Sequence, residues 1–119
     1  MEIDSAIESL SALAHEGRLA TFRMLVQAGP EGLAAGEIAR RLHMPPNSLS
    51  ANLKVLSHAG LLASRRDGRS IIYSARYDQM TQLLGYLMED CCGGSPEICA
   101  PLAEVCARAA CCVPTPHHA

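Results

Sequence analysis

Residues 37–75 read EIARRLHMPPNSLSANLKVLSHAGLLASRRDGRSIIYSA, which contains two short helical patterns followed by two strand patterns. Ile38 and Leu42 are one helical turn apart, and the pattern stops before Pro45-Pro46. A second helix is expected to begin at Pro46, because proline is well suited to the first turn of a helix. Two helices joined by such a tight turn indicate a helix-turn-helix motif.

The second of these helices has one apolar face and one polar face. Leu49, Leu53 and Leu56 fall on a single stripe when successive residues are placed about 100° apart. The opposite side carries small and polar residues, whose short side chains would let the helix approach base edges in the major groove of DNA. The predicted DNA contacts on this helix are Asn47, Ser48, Ser50, Ala51, Lys54 and His58.

A β-hairpin is expected directly after this helix. Residues 61–66 and 70–75 have the composition of strands, and Asp67-Gly68 between them is a strong signal for a hairpin turn. The sequence therefore predicts a mainly α fold with a small β-hairpin, a winged helix-turn-helix. Three arginines crowd the predicted tip and are further candidates for DNA contacts: Arg65, Arg66 and Arg69.

The charge distribution separates a DNA-binding protein from a generic helical scaffold. From Ile38 to Arg76 there are seven basic residues and one acidic residue, a net charge of +6. Residues 1–37 and residues 77–119 each carry −4. A phosphate-binding surface explains why positive charge collects on the predicted recognition helix and wing. We therefore predict double-stranded DNA as the partner and add Arg40 and Arg41 to the predicted contacts.

Several segments in this order and spacing resemble the ArsR/SmtB family of bacterial metal- and metalloid-sensing repressors. The resemblance covers about residues 5–92 and implies a homodimeric winged-helix protein that occupies an operator until an inducer releases it. The segments are SALAHEGRL at 11–19, GEIA at 36–39, LSANLKVL at 49–56, AGLL at 59–62 and RRDGR at 65–69.

Helices are also expected on both sides of this region. Ile3, Ile7 and Leu10 form a helical stripe over residues 3–14, and Leu19 belongs to a predicted inward stripe of the second helix. A fifth helix follows the hairpin, and the resemblance implies that it pairs with its twin across a dimer axis. We predict a dimer through the first and fifth helices, because their apolar stripes exceed what one small core can cover. The stripe of the fifth helix comprises Tyr77, Met80, Leu83, Leu84, Leu87 and Met88.

The rest of the chain is expected to be a cysteine-rich C-terminal extension at 93–119, after one domain at 1–92. No apolar run approaches the length of a membrane span, and the N-terminus lacks the basic start of a signal peptide. We therefore expect a cytoplasmic protein without a membrane partner, whose six cysteines are reduced. No nucleotide-binding loop, Ser-His-Asp set or cofactor fingerprint is evident, so we do not expect an enzyme.

A cluster of cysteines after the fifth helix is the predicted sensor. Trivalent arsenic is soft and prefers three thiolate sulfurs, which Cys91, Cys92 and Cys99 can supply because Gly93, Gly94 and Pro96 turn the chain between them. The resemblance likewise points to arsenic-responsive members with a vicinal cysteine pair and a third cysteine after the fifth helix. No cofactor is expected, and the inducer is trivalent arsenic or antimony. Further candidate ligands are Cys106, Cys111 and Cys112, although an idle role is favoured for the Cys111-Cys112 pair because chain termini are usually mobile.

The cysteine pattern leaves other inducers open. The same thiolates can hold zinc or cadmium if a fourth ligand completes the tetrahedron. Oxidation of the cysteine pairs would instead give a thiol redox regulator. Buried cysteines can also serve as small apolar side chains. The sequence does not distinguish inorganic arsenite from methylarsenite, which needs only two sulfurs.

Overall fold

The computed structural model describes residues 1–88, which form five helices and one small three-stranded sheet. The predicted mainly α fold with a winged helix-turn-helix is confirmed. The elements are α1 (Ile3–Leu13), α2 (Glu16–Ala28), β1 (Leu33–Ala34), α3 (Ala35–Leu42), α4 (Pro46–His58), β2 (Leu62–Asp67), β3 (Ser70–Ala75) and α5 (Tyr77–Leu87).

The junction between α1 and α2 is held by side chains that satisfy free backbone groups at the two helix ends. The Nδ1 atom of His15 accepts hydrogen bonds from the N–H groups of Gly17 and Arg18, at 3.1 and 3.3 Å. The Nε atom of Arg18 donates to the carbonyl oxygen of Ala12 at 2.6 Å. Arg18 therefore closes the C-terminus of α1.

The helix-turn-helix consists of α3 and α4. His43 ends α3 in the left-handed conformation with φ 52, and the N–H of Met44 donates to the carbonyl of Ala39 at 3.0 Å. Pro46 then begins α4, as the sequence predicted. The α4 leucine stripe enters the core with Ile38, because Leu49, Leu53 and Leu56 are at most 3% exposed.

The sheet has the order β1-β3-β2, and its short first strand was not predicted from the sequence. Leu33 of β1 pairs with Tyr73 of β3. In the hairpin Asp67 pairs with Ser70, so the loop is Gly68-Arg69, one residue later than predicted. Gly68 has φ 65, and glycine with positive φ at the first loop position is typical of a type II′ turn. Arg69 is therefore at the tip of the wing.

The apolar stripes of α1 and α5 are only partly buried within the described chain. On α1 the small residues Ala6, Ser9 and Ala12 face inward and allow close helix packing, whereas three larger residues remain exposed. On α5, Leu83 is buried but two leucines are exposed. The exposed residues of both helices are Ile3, Ile7, Leu10, Leu84 and Leu87, at 42 to 60% of their surface.

The prediction that Leu19 faces the core was wrong. Leu19 is 44% exposed, whereas Phe22 and Leu25 on the same helix are buried. The inward face of α2 is instead completed by Thr21, whose hydroxyl donates to the carbonyl of Gly17 at 2.7 Å. A buried threonine that bonds the preceding turn satisfies its own hydroxyl, so it can replace an apolar residue in the core.

The described chain supplies two further observations about organisation. Within residues 1–88, no helix is both long and apolar enough to span a bilayer. Met1–Tyr86 form one compact unit. The predicted division into a domain at 1–92 and an extension at 93–119 lies outside the described residues.

Candidate nucleic-acid interface

The outer face of α4 presents every residue predicted to contact DNA on this helix. All six are exposed, and the leucine stripe on the opposite side fixes the rotation of the helix. Because the outward side chains are short except for Lys54 and His58, a partner can approach the backbone of α4 closely. The exposed positions are Asn47, Ser48, Ser50, Ala51, Lys54 and His58.

A buried polar residue holds α4 against its neighbours. Asn52 is 7% exposed, and its amide donates to the sulfur of Met44 at 3.4 Å. It also packs against the start of α2, where a Cβ atom on Gly17 would lie 3.0 Å from the Asn52 amide nitrogen. Asn52 thus links α4 to the turn and to α2, a role that was not predicted from the sequence.

An open groove of about 770 Å³ separates α4 from the hairpin. Hydroxyl groups line it, and Lys54 adds an ammonium group, so the groove is rich in hydrogen-bond donors for an anion. Three of its lining residues, Ser57, Ser64 and Tyr73, were not predicted from the sequence. Ser64 and Tyr73 are directly paired across the hairpin, whereas the loop predicted at Asp67-Gly68 would have paired Ser64 with Ile71. The full lining is Ser50, Ala51, Lys54, Ser57, His58, Ser64 and Tyr73.

The three arginines of the wing are exposed but do not share one face. Side chains alternate across a strand, so Arg66 lies on the same face as Ser64, which lines the groove. Arg65 lies on the opposite face, where its paired residue is Ile72. Arg69 occupies the hairpin loop. Arg66 is therefore better placed than Arg65 to extend the donor-lined groove.

The two arginines of α3 are held by a carboxylate. Arg40 donates through Nε to Glu37 at 3.2 Å and through Nη2 to the second carboxylate oxygen. Arg41 donates through Nε to that second oxygen at 2.6 Å. The hydrogen bond from Arg40, followed by that from Arg41, lowers the pKa of Glu37 below its ordinary value. Inclusion of Glu37 reduces the net charge of the basic segment to +5 for residues 37–76.

A second groove, of about 460 Å³, lies between α1 and α4. Lys54 and His58 border this groove as well as the one beside the wing. The Nε2 atom of His58 is 3.7 Å from the carboxylate of Glu8 on α1, and both side chains are more than half exposed. Lys54 and His58 therefore form the ridge between the two grooves.

The described residues do not include the predicted sensor. Within residues 1–88, no three His, Cys, Asp or Glu side chains are grouped so that they could hold a metal ion. The predicted ligands all lie outside the described residues, and the arsenic site stays a prediction. These ligands are Cys91, Cys92 and Cys99, with Cys106, Cys111 and Cys112 as further candidates.

The sequence of this chain is similar to those of known transcriptional regulators. The pattern of a helix-turn-helix domain family matches residues 13–65. The HTH-type transcriptional regulator YceK of Bacillus subtilis is 39% identical over 77 residues, which are 64% of this chain and 76% of YceK. The HTH-type transcriptional repressor SmtB of Mycobacterium tuberculosis is 34% identical over 71 residues, 60% of this chain and 50% of SmtB.

A solved structure with the same architecture is the homodimeric winged helix-turn-helix DNA-binding domain of Mb0332 from Mycobacterium bovis. It is 26% identical, with a TM-score of 0.61 over 74% of this chain and 82% of that domain. The chain therefore belongs to the ArsR/SmtB family of winged-helix transcriptional regulators.

Proposed function

We propose that the protein is a repressor that binds operator DNA as a homodimer and is released when trivalent arsenic, as arsenite or methylarsenite, binds its cysteine cluster. One observation carries the DNA-binding part of this proposal. The exposed face of α4 borders a groove lined with hydrogen-bond donors, and Arg66 lies on the same face of the hairpin as the groove residue Ser64. A surface of this composition fits a phosphate backbone and the edges of bases.

In the proposed complex α4 enters the major groove, so that Asn47 and Ser50 reach base edges. One DNA strand lies along the groove between α4 and the wing. Its phosphates accept hydrogen bonds from the hydroxyls of Ser64 and Tyr73 and from the ammonium group of Lys54. Arg66 extends this contact towards the tip.

Homodimer formation is supported by the exposed apolar residues of α1 and α5. Ile7 is 54% exposed and Leu84 is 48% exposed, although both belong to regular apolar stripes. A second copy of the chain can cover such faces, and a two-fold symmetric dimer would present two α4 helices to the DNA. The operator should then be an inverted repeat whose half-sites match the spacing of the two helices.

The proposed inducer chemistry follows from the sequence of the C-terminal region. Arsenous acid can form three As–S bonds with Cys91, Cys92 and Cys99; its three hydroxyl groups leave as water with the three thiol protons. This exchange involves no change of oxidation state. Such binding would draw together residues that follow α5.

A contact at the start of α5 provides a route to the DNA-binding elements. The hydroxyl of Tyr77 donates to the carbonyl oxygen of Val26 near the end of α2, at 3.0 Å. Because α2 packs directly on α4, a displacement of α5 would be transmitted to the recognition helix. Coupling between such sites is reciprocal, so operator DNA should weaken arsenic binding by the same factor by which arsenic weakens DNA binding.

The second candidate is a thiol redox or zinc/cadmium regulator, which the two vicinal cysteine pairs at 91–92 and 111–112 favour. The test is operator release titrated with arsenite, methylarsenite, antimonite, zinc, cadmium and peroxide. We expect the trivalent arsenicals and antimonite to release the operator at the lowest concentrations. Release by peroxide alone, reversed by a thiol reductant, would replace the arsenic proposal with the redox one. Release by zinc or cadmium alone would identify a divalent metal sensor.

A further inference from the structure

We propose that Glu37 limits the affinity of this protein for DNA by holding Arg40 and Arg41 in an ion pair that competes with phosphate. The inference rests on the DNA binding proposed above and concerns a residue outside the predicted contact surface. Glu37 lies in the first turn of α3, and the two arginines follow it at i+3 and i+4. All three side chains therefore lie on one side of the helix.

The contacts of Glu37 occupy the edge of Arg40 that would otherwise bind an anion. Arg40 uses Nε and Nη2, which together form one fork of the guanidinium group, on the two carboxylate oxygens. A phosphate that binds this fork in a bidentate manner must displace the carboxylate. Arg41 contributes only Nε to Glu37, so its two terminal nitrogens are not engaged by this carboxylate.

The position of α3 makes this competition relevant to DNA. In helix-turn-helix proteins the first helix of the motif crosses the DNA backbone while the second enters the major groove. The side chains of Arg40 and Arg41 are 71% and 48% exposed, and that of Glu37 is 31% exposed. When DNA approaches, the carboxylate therefore faces phosphates together with the arginines and removes one positive charge from this surface.

The Glu37 carboxylate is ionised at neutral pH. Hydrogen bonds from Arg40 and Arg41 lower the pKa of Glu37, so the carboxylate stays ionised well into the acid range. The same bond raises the pKa of Arg40. Because phosphate contacts carry no sequence information, the restraint should act equally on operator and on random duplex. Glu37 would thereby keep sequence-independent binding weak.

The test is Glu37→Gln in the full-length protein, which removes the charge but keeps the shape. Affinity for operator and for a scrambled duplex is measured by fluorescence anisotropy over a series of salt concentrations. We expect Glu37→Gln to bind both duplexes several-fold more tightly, with a log–log salt slope steeper by about one phosphate contact, ~0.9. Thermal unfolding of the same samples shows whether the variant is folded.

Two matched variants make the result specific. Glu31→Gln changes the net charge equally at an exposed residue that has no ion pair within the described part of the chain, and should leave the salt slope unchanged. In an Arg40→Ala, Arg41→Ala background, Glu37→Gln should have no effect, because the groups it restrains are gone.

Three results would overturn the inference. An unchanged or weaker affinity in Glu37→Gln, with an unchanged slope, would mean that the carboxylate only orders α3 or orients the arginines. A gain that persists without Arg40 and Arg41 would indicate simple repulsion of phosphate by Glu37. If the wild-type protein bound neither duplex at low salt, the proposed function would fail, and the inference with it.

Discussion

Lys54 is the residue whose replacement should most clearly reveal a phosphate contact. Its ammonium group lies on the ridge between the two grooves beside α4, and its side chain is exposed. Lys54→Ala removes that charge without disturbing the core, because Leu53 and Leu56 carry the packing of this turn. One phosphate contact contributes about 0.9 to the log–log salt slope, which corresponds to a roughly fivefold loss of affinity near 0.15 M salt.

The assay is fluorescence anisotropy with labelled operator at salt concentrations between about 50 and 200 mM, the range in which counterion release dominates. Lys54→Ala should lower the slope and the affinity together. Arg23→Ala is the matched control, since Arg23 is an exposed cation on α2 outside the basic segment and should change neither quantity. An unchanged slope in Lys54→Ala would refute the assignment of Lys54 to the DNA backbone.

Four further predictions concern the wing, the core, the dimer and α5. Arg66→Ala should weaken operator binding about as much as Lys54→Ala. Arg65→Ala should bind nearly normally, because Arg65 lies on the opposite face of the hairpin. Equal losses of operator affinity in the two variants, measured by fluorescence anisotropy, would contradict the assigned faces. Leu56→Ala should lower the free energy of unfolding by about 3–5 kcal/mol in urea titrations, and a loss below about 1 kcal/mol would mean that the site is not tightly packed. Ile7→Glu should give monomers in sedimentation velocity at micromolar concentration, while a wild-type monomer would refute the dimer. Burial raises the pKa of Tyr77, so the stability that its neutral hydroxyl provides should be present below its ordinary value of 10.0 and lost as pH rises above it. Alkaline unfolding should show this loss in the wild type and a smaller one in Tyr77→Phe.

The local patterns that fix the helix-turn-helix were sufficient to predict it. Proline at the start of α4 and the leucine spacing are properties of one segment, and the structure keeps both. The strand β1 could not be predicted, because its two residues become a strand only by pairing with β3, about 40 residues away. The hairpin loop moved by one residue because glycine suits the first position of a II′ turn as well as the second of a I′ turn.

The parts of the candidate interface that depend on a single helix could be predicted from the sequence. The parts that depend on contacts between separate elements of the chain could not. Helical rotation alone placed Lys54 on the outer face of α4. Tyr73 in the groove depends on strand register, and Arg18 closes α1 through a backbone contact across the helix junction. The pairing of Glu37 with two arginines could have been predicted from the sequence, because the arginines follow it at i+3 and i+4. Glu37 lies one residue before the basic segment 38–76, so it was not counted with that segment.

The release of operator by arsenite in single cysteine variants tests the proposed function most directly. Coupling of about 1–3 kcal/mol is the usual size for such regulation and corresponds to a 5- to 150-fold change in DNA affinity. We predict that Cys91→Ser, Cys92→Ser and Cys99→Ser each bind operator normally but lose the arsenite response in anisotropy titrations. Cys111→Ser and Cys112→Ser should respond like the wild type. Full arsenite-driven release by Cys91→Ser or Cys92→Ser would contradict the proposed sensor site.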